Sequence, residues 1–425
     1  MDRKYERRHS RWYELILFNR FVQVLIGLPM VTLLPAFERW GGGFWQEMDA
    51  VRFNTLASIA VAFVFVSILL KIFIKFPGVR GISFVFPVVT IVFLVIVSLL
   101  FFSREAYSRQ VMFNGYLMTL FWFFLGYSIG HRYSRLKLGV VPFGSTHELE
   151  DNRDVVFRTL QVPDLKGVRL DGIVADLRAK ELAGGWEHFL AVCTLSHIPV
   201  YHMRQIQESL TGRVRIDHLS ENQLGTLLPS PLYMLLKRLI DIFAVLITLP
   251  LTLPIMLVTA VIIKIDSPGP ALFIQERVGQ GNRSFKIYKF RSMRVDSEKD
   301  GARLAQSNDA RITRFGKFIR KTRLDEFPQF FNVLKGDMSL IGPRPEQRAF
   351  VDKFEKEIPF YIYRHVVKPG ITGWAQVVHG YASDADDTRV KLQYDFYYIK
   401  NFSFWLDVLV MFKTIKTFLT GFGAK

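Results

Sequence analysis

The sequence predicts a membrane protein of mixed α and α/β class. Four N-terminal transmembrane helices are followed by a small cytoplasmic α/β (Rossmann-like) unit and a C-terminal, α-rich monotopic domain with a re-entrant membrane helix. Three observations carry this expectation: four apolar stretches in the first 130 residues, a strand–helix–strand pattern of soluble composition after them, and a fifth apolar segment broken by two prolines. The expected boundaries are 1–137, 138–229 and 230–425, with the re-entrant helix at about 232–265.

Half of the 425 residues are hydrophobic and 39 are Phe, which is heavy for a soluble chain and ordinary for one that meets lipid. A net charge of +17 suits anionic partners, whether headgroups, phosphorylated ligands or nucleic acid, and composition does not choose among them. The single cysteine, Cys193, excludes an intramolecular disulfide and a cysteine-based zinc cluster.

The expected spans are Leu15–Phe37, Thr55–Ile74, Ile82–Phe102 and Met112–Gly130. Each is near the roughly 20 residues that cross a hydrocarbon core. The first reads as an uncleaved anchor, because no small-residue cleavage site follows it. Basic residues gather before span one (Arg3, Lys4, Arg7, Arg8, Arg11), after span two (Lys71, Lys75, Arg80) and after span four (Arg132, Arg135, Lys137). The positive-inside tendency then puts the N-terminus and everything after span four in the cytoplasm.

Gly172–Asp176 and Ile198–His202 read as strands on either side of a helix at about 185–195, the order of a parallel α/β unit. A dinucleotide site needs a glycine-rich turn, and Val141–Ser145 lacks the G-x-G-x-x-G spacing, so the unit reads as structural or regulatory. In the fifth apolar segment, Leu232–Ile265, Pro250 and Pro254 interrupt the middle and Lys237, Arg238 and Lys264 flank the ends. Prolines bend or break a helix, and cations at both ends favour a hairpin that dips in and returns over a kinked fifth span.

The chemistry-bearing residues follow. Phe285–Arg291 alternates as a strand, which puts Lys289 and Arg291 on one face; that pair suits a diphosphate, and a solvated strand edge fits it equally well. Between Arg311 and Arg323 six cations occur without an acid, and Arg314, Lys317 and Lys321 take helical spacing opposite Phe315, Phe318 and Ile319. Such an element lies well on an anionic membrane surface. Asp325 and Glu326 come next, at or just before a helix start marked by Pro328, where free N–H groups favour carboxylates and phosphates alike. Adjacent acids diverge and can take different roles, one as nucleophile and the other as metal ligand or proton carrier, and a pair of capping acids fits the same positions. Arg344 is stiffened between Pro343 and Pro345, and Lys368 opens a glycine-punctuated loop.

Taken together these residues resemble the bacterial sugar transferase family, the monotopic polyprenyl-phosphate phosphoglycosyl transferases. The matching strings are Gly269-Pro270 with Phe273, Gln275, Arg277 and Gly279, then Lys289–Met293, Leu324–Gln329, Asn332–Leu340, Gly342–Pro345, Lys368–Gly373 and Tyr394–Tyr398. The four preceding spans and the α/β unit resemble the large type that starts exopolysaccharide or O-antigen repeat units. The resemblance implies transfer of a sugar 1-phosphate from a UDP-sugar to a polyprenyl phosphate such as undecaprenyl phosphate, with UMP released and a covalent phosphosugar intermediate. It makes Asp325 the nucleophile and Glu326 its partner in Mg²⁺ binding or proton handling. Lys289, Arg291, Arg320, Arg323, Arg344 and Lys368 become the candidates for binding substrate phosphate. The implied setting is the bacterial inner membrane with the active domain on the cytoplasmic face and no nucleic-acid partner; the sequence leaves the oligomeric state open, with the α/β unit as a candidate contact for a homodimer. The rival readings are a membrane glycosyltransferase that releases UDP and a non-catalytic membrane scaffold.

Overall fold

Each of the first four apolar stretches folds as a helix: α1 (Arg20–Trp40), α2 (Ala50–Phe73), α3 (Gly81–Phe102) and α4 (Arg109–Tyr133). The computed structural model describes residues 5–8, 19–73, 81–133, 135–149, 155–182, 184–216, 228–294, 309, 311–379 and 385–420. Residues 15–18 of the first expected span, and the cations Arg3, Lys4, Arg11, Lys75 and Arg80, lie outside them. Asn19 caps α1 by accepting from the Phe21 N–H at 2.8 Å. Ile59, Ala62, Phe63 and Val66 of α2 are fully buried in the bundle, and Gly115 of α4 permits the close approach, since a Cβ there would lie 2.7 Å from Ile59. The outer faces are apolar instead of charged, with Phe53, Leu94, Leu99 and Phe121 exposed. That inverts the pattern of a water-soluble bundle.

Among the described residues four helices are long and apolar enough to cross a membrane: Phe21–Trp40, Ala50–Phe73, Phe84–Phe102 and Pro231–Asp266. The expected fourth span corresponds to α4, which has 25 residues but carries Asn114, Thr119, Tyr127 and Ser128 among its apolar ones.

The chain divides into two compact units, Met1–Gly212 and Arg213–Lys425. After α4, the first unit contains a four-stranded, wholly parallel sheet in the order β2-β1-β3-β4, formed by β1 (Leu136–Val140), β2 (Val155–Thr159), β3 (Gly172–Ala175) and β4 (Val200–His202). The expected strands and the helix between them are present, as β3, α5 (Gly184–Leu195) and β4. One face, with Ile173 and Ala175, packs on Trp186, Phe189 and Cys193 of α5. The other, with Leu138 and Val174, packs on Met203 and Ile206 of α6 (Met203–Thr211). Val141–Ser145 leaves the end of β1 and enters a 3₁₀ turn.

The segment before α1 belongs to this sheet's surroundings. Tyr5 is buried in the α5 cluster and donates to Asp164 at 3.0 Å, while the Arg8 amide donates to Leu170 O and its guanidinium meets Asp171 at 3.1 Å.

The second unit begins on α7 (Pro231–Asp266), one helix of 36 residues with Pro250 and Pro254 inside it. Both of its ends are tied to the same unit. Near the start, Lys237 and Tyr233 reach Asp407 at 2.6 and 2.5 Å, and Asp241 accepts from Ser339 at 2.6 Å. Near the end, Met256 and Ile263 pack with Phe290 and Ile319. Between these anchors Leu246, Ile247 and Leu251 are exposed. Downstream come the antiparallel hairpin of β5 (Leu272–Val278) and β6 (Ser284–Phe290), then α8 (Arg314–Lys321) and α9 (Gln329–Lys335). The parallel pair β7 (Ser339–Ile341) and β8 (Gly370–Thr372) is interleaved with α10 (Arg348–Glu357). The chain ends in α11 (Trp374–Val378), α12 (Ala385–Lys400) and α13 (Phe404–Thr420).

Candidate active site

The two acids sit where α8 hands over to α9. Thr313 caps α8 by accepting from the Gly316 N–H, and α8 packs so closely on the end of the hairpin that a Cβ at Gly316 would lie 2.0 Å from Ser292 O. Arg314, Lys317 and Lys321 are exposed on α8 and Ile319 is buried, which is the expected amphipathic arrangement. Arg323 then takes a left-handed φ of 56°, turning the chain into a 3₁₀ turn at Leu324–Glu326, and Pro328 stands immediately before the first residue of α9 without a capping hydrogen bond. Asp325 and Glu326 therefore stand just before a helix, as the sequence predicts. A positive φ on a non-glycine residue is uncommon and concentrates where a site needs a fixed geometry.

Glu326 is the hub of the cations. Its Oε1 lies 3.1 Å from Arg344, 3.7 Å from Arg323 and 3.8 Å from Lys289. Burial works to raise this carboxyl, and Arg344, Lys289 and Arg323 overcome it and hold it down at about 2. Asp325 behaves in the opposite way. Burial and then the Glu326 charge push it up to about 6, against the pull of Lys289, Arg323 and Arg320. Its Oδ1 is buried and accepts no hydrogen bond among the described residues. Burial, and after it the nearby Arg344, pushes the Lys289 ammonium down to about 8. The site thus holds one neutralised carboxylate and one under-neutralised carboxylate, side by side.

Of the six candidate phosphate-binding cations, the structure gathers four. Lys289, Arg323 and Arg344 pair with Glu326, and Arg320 acts on the charge of Asp325. Arg291 is not brought there. The strand ends at Phe290, and the Arg291 guanidinium turns to Ser267 O at 2.7 Å and Pro268 O at 2.8 Å, closing the chain that leaves α7. Lys368 also lies elsewhere, where its charge is felt with those of Arg238, Asp241 and Asp337.

The sequence reading passed over a second buried charge group beside Arg344. It comprises Arg277, Glu346, Arg364, Lys391 and Asp395, with Lys391 at 2.6 Å from Glu346 and Arg364 at 2.9 Å from Asp395. Arg277 and Asp395 lie inside the family strings, but only the folded chain brings β5, the residues after β7 and α12 together. An open apolar groove of about 340 Å³ is lined by Pro254, Val258 and Ile262 of α7, Phe315 and Phe318 of α8, and Leu324, the residue before Asp325.

Residues 232–421 match the family described as bacterial sugar transferase. Along its whole length the chain is similar to the UDP-N-acetylgalactosamine-undecaprenyl-phosphate N-acetylgalactosaminephosphotransferase of Aeromonas hydrophila, 59% identical over 99% of this chain and 100% of that protein. The chain belongs to the bacterial sugar transferase family. A putative undecaprenyl-phosphate N-acetylgalactosaminyl 1-phosphate transferase of Bacillus subtilis is 54% identical over 31% of this chain and 74% of that protein. The UDP-glucose:undecaprenyl-phosphate glucose-1-phosphate transferase of Escherichia coli is 41% identical over 43% of this chain and 39% of that protein. The protein is therefore an enzyme of the polyprenyl-phosphate sugar-1-phosphate transferase type, and the scaffold reading falls.

Proposed function

We propose that this sugar transferase moves N-acetylgalactosamine 1-phosphate from UDP-N-acetylgalactosamine to undecaprenyl phosphate, releasing UMP, through a phosphosugar ester on Asp325. The observation that carries the mechanism is the split between the two acids: Glu326 is held by three cations, and Asp325 keeps a buried oxygen without a partner. A raised, unpaired carboxylate is the better nucleophile once ionised, and the cations around its neighbour lower the repulsion that two anions meet on approach. An Asp325 oxygen forms a bond to the sugar-bearing phosphorus, and the bond from that phosphorus to the bridging oxygen breaks. UMP leaves with the electron pair. A phosphate oxygen of the acceptor then attacks the same phosphorus and displaces Asp325, giving the polyprenyl diphosphate sugar. Glu326, held at about 2, is a poor proton carrier and a good anchor for Lys289, Arg323 and Arg344.

The residues present fit Mg²⁺, since that ion binds through one or two carboxylates together with substrate phosphates, and Asp325 offers a spare oxygen. Asp325 would hold it through that oxygen together with the substrate phosphates, while Glu326, expected as a second ligand, is already occupied by Lys289, Arg323 and Arg344. The ion would supply charge neutralisation at the diphosphate.

The membrane placement has its own support. Tyr5–Arg8 bonds to residues that follow α4, so both lie on one face and the chain between them crosses an even number of times. Both ends of α7 are tied to one unit, which supports re-entry, and the positive-inside bias puts that unit in the cytoplasm at the inner membrane. The apolar groove beside Leu324 suits the hydrocarbon end of the acceptor. The choice of sugar rests on the full-length likeness to the Aeromonas protein.

The test is a panel of UDP-sugars with undecaprenyl phosphate, followed by nucleotide product. UMP release with UDP-N-acetylgalactosamine is expected; UDP release refutes the phosphosugar step, and preference for UDP-glucose refutes the donor.

A further inference from the structure

The segment that carries Arg344 is held in an unusual way. Proline has no N–H, so Pro343 and Pro345 remove two backbone donors from the stretch Pro343–Glu346. The segment is instead fixed through its carbonyls, all four of which accept a hydrogen bond. Pro343 O takes the Gly370 N–H at 2.9 Å, Arg344 O takes Arg364 Nη2 at 2.9 Å, Pro345 O takes Arg277 Nη1 at 3.2 Å, and Glu346 O takes the Val278 N–H at 2.9 Å. Two of those four donors are arginine side chains, and a buried guanidinium is a precise donor only when its remaining N–H groups are also held.

Arg364 meets that condition at its two terminal nitrogens, while its buried Nε has no partner among the described residues. Its side chain is 3% exposed, Nη2 reaches Asp395 at 2.9 Å as well as Arg344 O, and Nη1 donates to Tyr361 at 2.8 Å. Asp395 is 2% exposed and sits on α12, remote in sequence from both acids. Glu346 balances the group, with Lys391 at 2.6 Å and Arg277 at 3.9 Å. None of Arg364, Asp395, Glu346 or Lys391 contacts Asp325 or Glu326 among the described ion pairs, and the direct link to the site is the Arg364 hydrogen bond to Arg344 O.

We propose that Asp395 and Arg364 are positioning residues that set the Arg344 guanidinium against Glu326. A buried ion pair is weak support for stability in itself, because desolvation offsets most of its attraction. Its value here is geometric: Arg344 is the closest cation to Glu326 and leads the groups that hold that carboxyl down. If the segment slides, Glu326 loses its nearest cation and the Arg344 guanidinium is no longer aimed at the acids.

The inference rests on the phosphosugar-transfer reading, and a double-mutant cycle separates the two. The full-length enzyme in membrane mimetic is assayed for UMP release as wild type, Asp395→Asn, Arg344→Ala and the double variant, with kcat and KM measured for each. Failure of the wild type to release UMP sinks the functional reading. With the wild type active, Asp395→Asn is expected to lower kcat about tenfold while KM for the UDP-sugar stays within about twofold. In the Arg344→Ala background it should cost no more than about twofold further. Losses that multiply in the double variant, or a raised KM at unchanged kcat, overturn the positioning role. Arg364→Lys, which keeps the charge and loses the forked donor, replaces Asp395→Asn in the same cycle if the latter does not fold.

Discussion

Arg344 and Glu326 meet at 3.1 Å, eighteen residues apart in sequence, and this contact sorts two adjacent carboxylates into different chemical states. Glu326 is satisfied and permanently charged at working pH, and Asp325 is left raised and with a buried oxygen unpaired. Adjacent positions in one turn acquire distinct states because Glu326 pairs directly with three cations, whereas burial and the Glu326 charge outweigh the cations that act on Asp325.

Activity should rise with pH through the titration of Asp325. The carboxyl is pushed up to about 6, so turnover falls as pH drops below that value and levels off above it. The initial rate of UMP release across pH 4.5–8 measures this, and a limb near 4 would mean that the nucleophile is an ordinary carboxylate.

Glu326→Gln removes the charge that helps to raise Asp325 while leaving Lys289 and Arg323 in place. Asp325 then titrates lower, and the acid limb moves to lower pH. Turnover falls all the same, by about 10–100-fold, because the cations lose the anchor that aims them. The pH profile of the variant checks both signs.

Asp325→Asn should stabilise the protein. A carboxyl whose folded pKa is raised favours folding while it is protonated and loses that contribution as pH rises through about 6. Replacing it with a neutral amide therefore gives no benefit below about pH 4 and up to about 3 kcal/mol above pH 6. Thermal unfolding at pH 4 and pH 7 distinguishes this from a pH-independent effect.

Arg291→Ala should act on folding and leave donor binding alone. Its guanidinium closes the carbonyls of Ser267 and Pro268, so its loss costs about 1–3 kcal/mol. KM for the UDP-sugar is expected to stay within about twofold. The reverse outcome, a raised KM at unchanged stability, would return Arg291 to the site.

The contrast between Lys289 and Arg291 shows how far the sequence reaches. Strand alternation was enough to place Lys289, whose register opposite Phe273 lies within β6, but not Arg291, because the pairing ends at Phe290. The helix start after Glu326, the amphipathic α8 and the β3–α5–β4 unit were legible, since each depends on local spacing and capping. Two strands of the parallel sheet were not: β1 and β2 are five residues each and lack a periodic signal of their own. The Arg364–Asp395 pair was out of reach for a different reason, as partners 31 positions apart leave no trace in local spacing.

The placement of α7 predicts that reporters at both ends of the chain report from one side. On the proposed topology, with an even number of crossings before β1 and a re-entrant α7, the N-terminus and the residues after α13 are expected in the cytoplasm. A C-terminal reporter active in the periplasm contradicts re-entry.

The most direct measurement is the mass of the protein after incubation with UDP-N-acetylgalactosamine in the absence of acceptor. The account predicts one added N-acetylhexosamine phosphate on the peptide that contains Asp325, formed with stoichiometric UMP and removed by undecaprenyl phosphate. An unmodified Asp325 peptide in an enzyme that turns over, or turnover retained by Asp325→Asn, would contradict it.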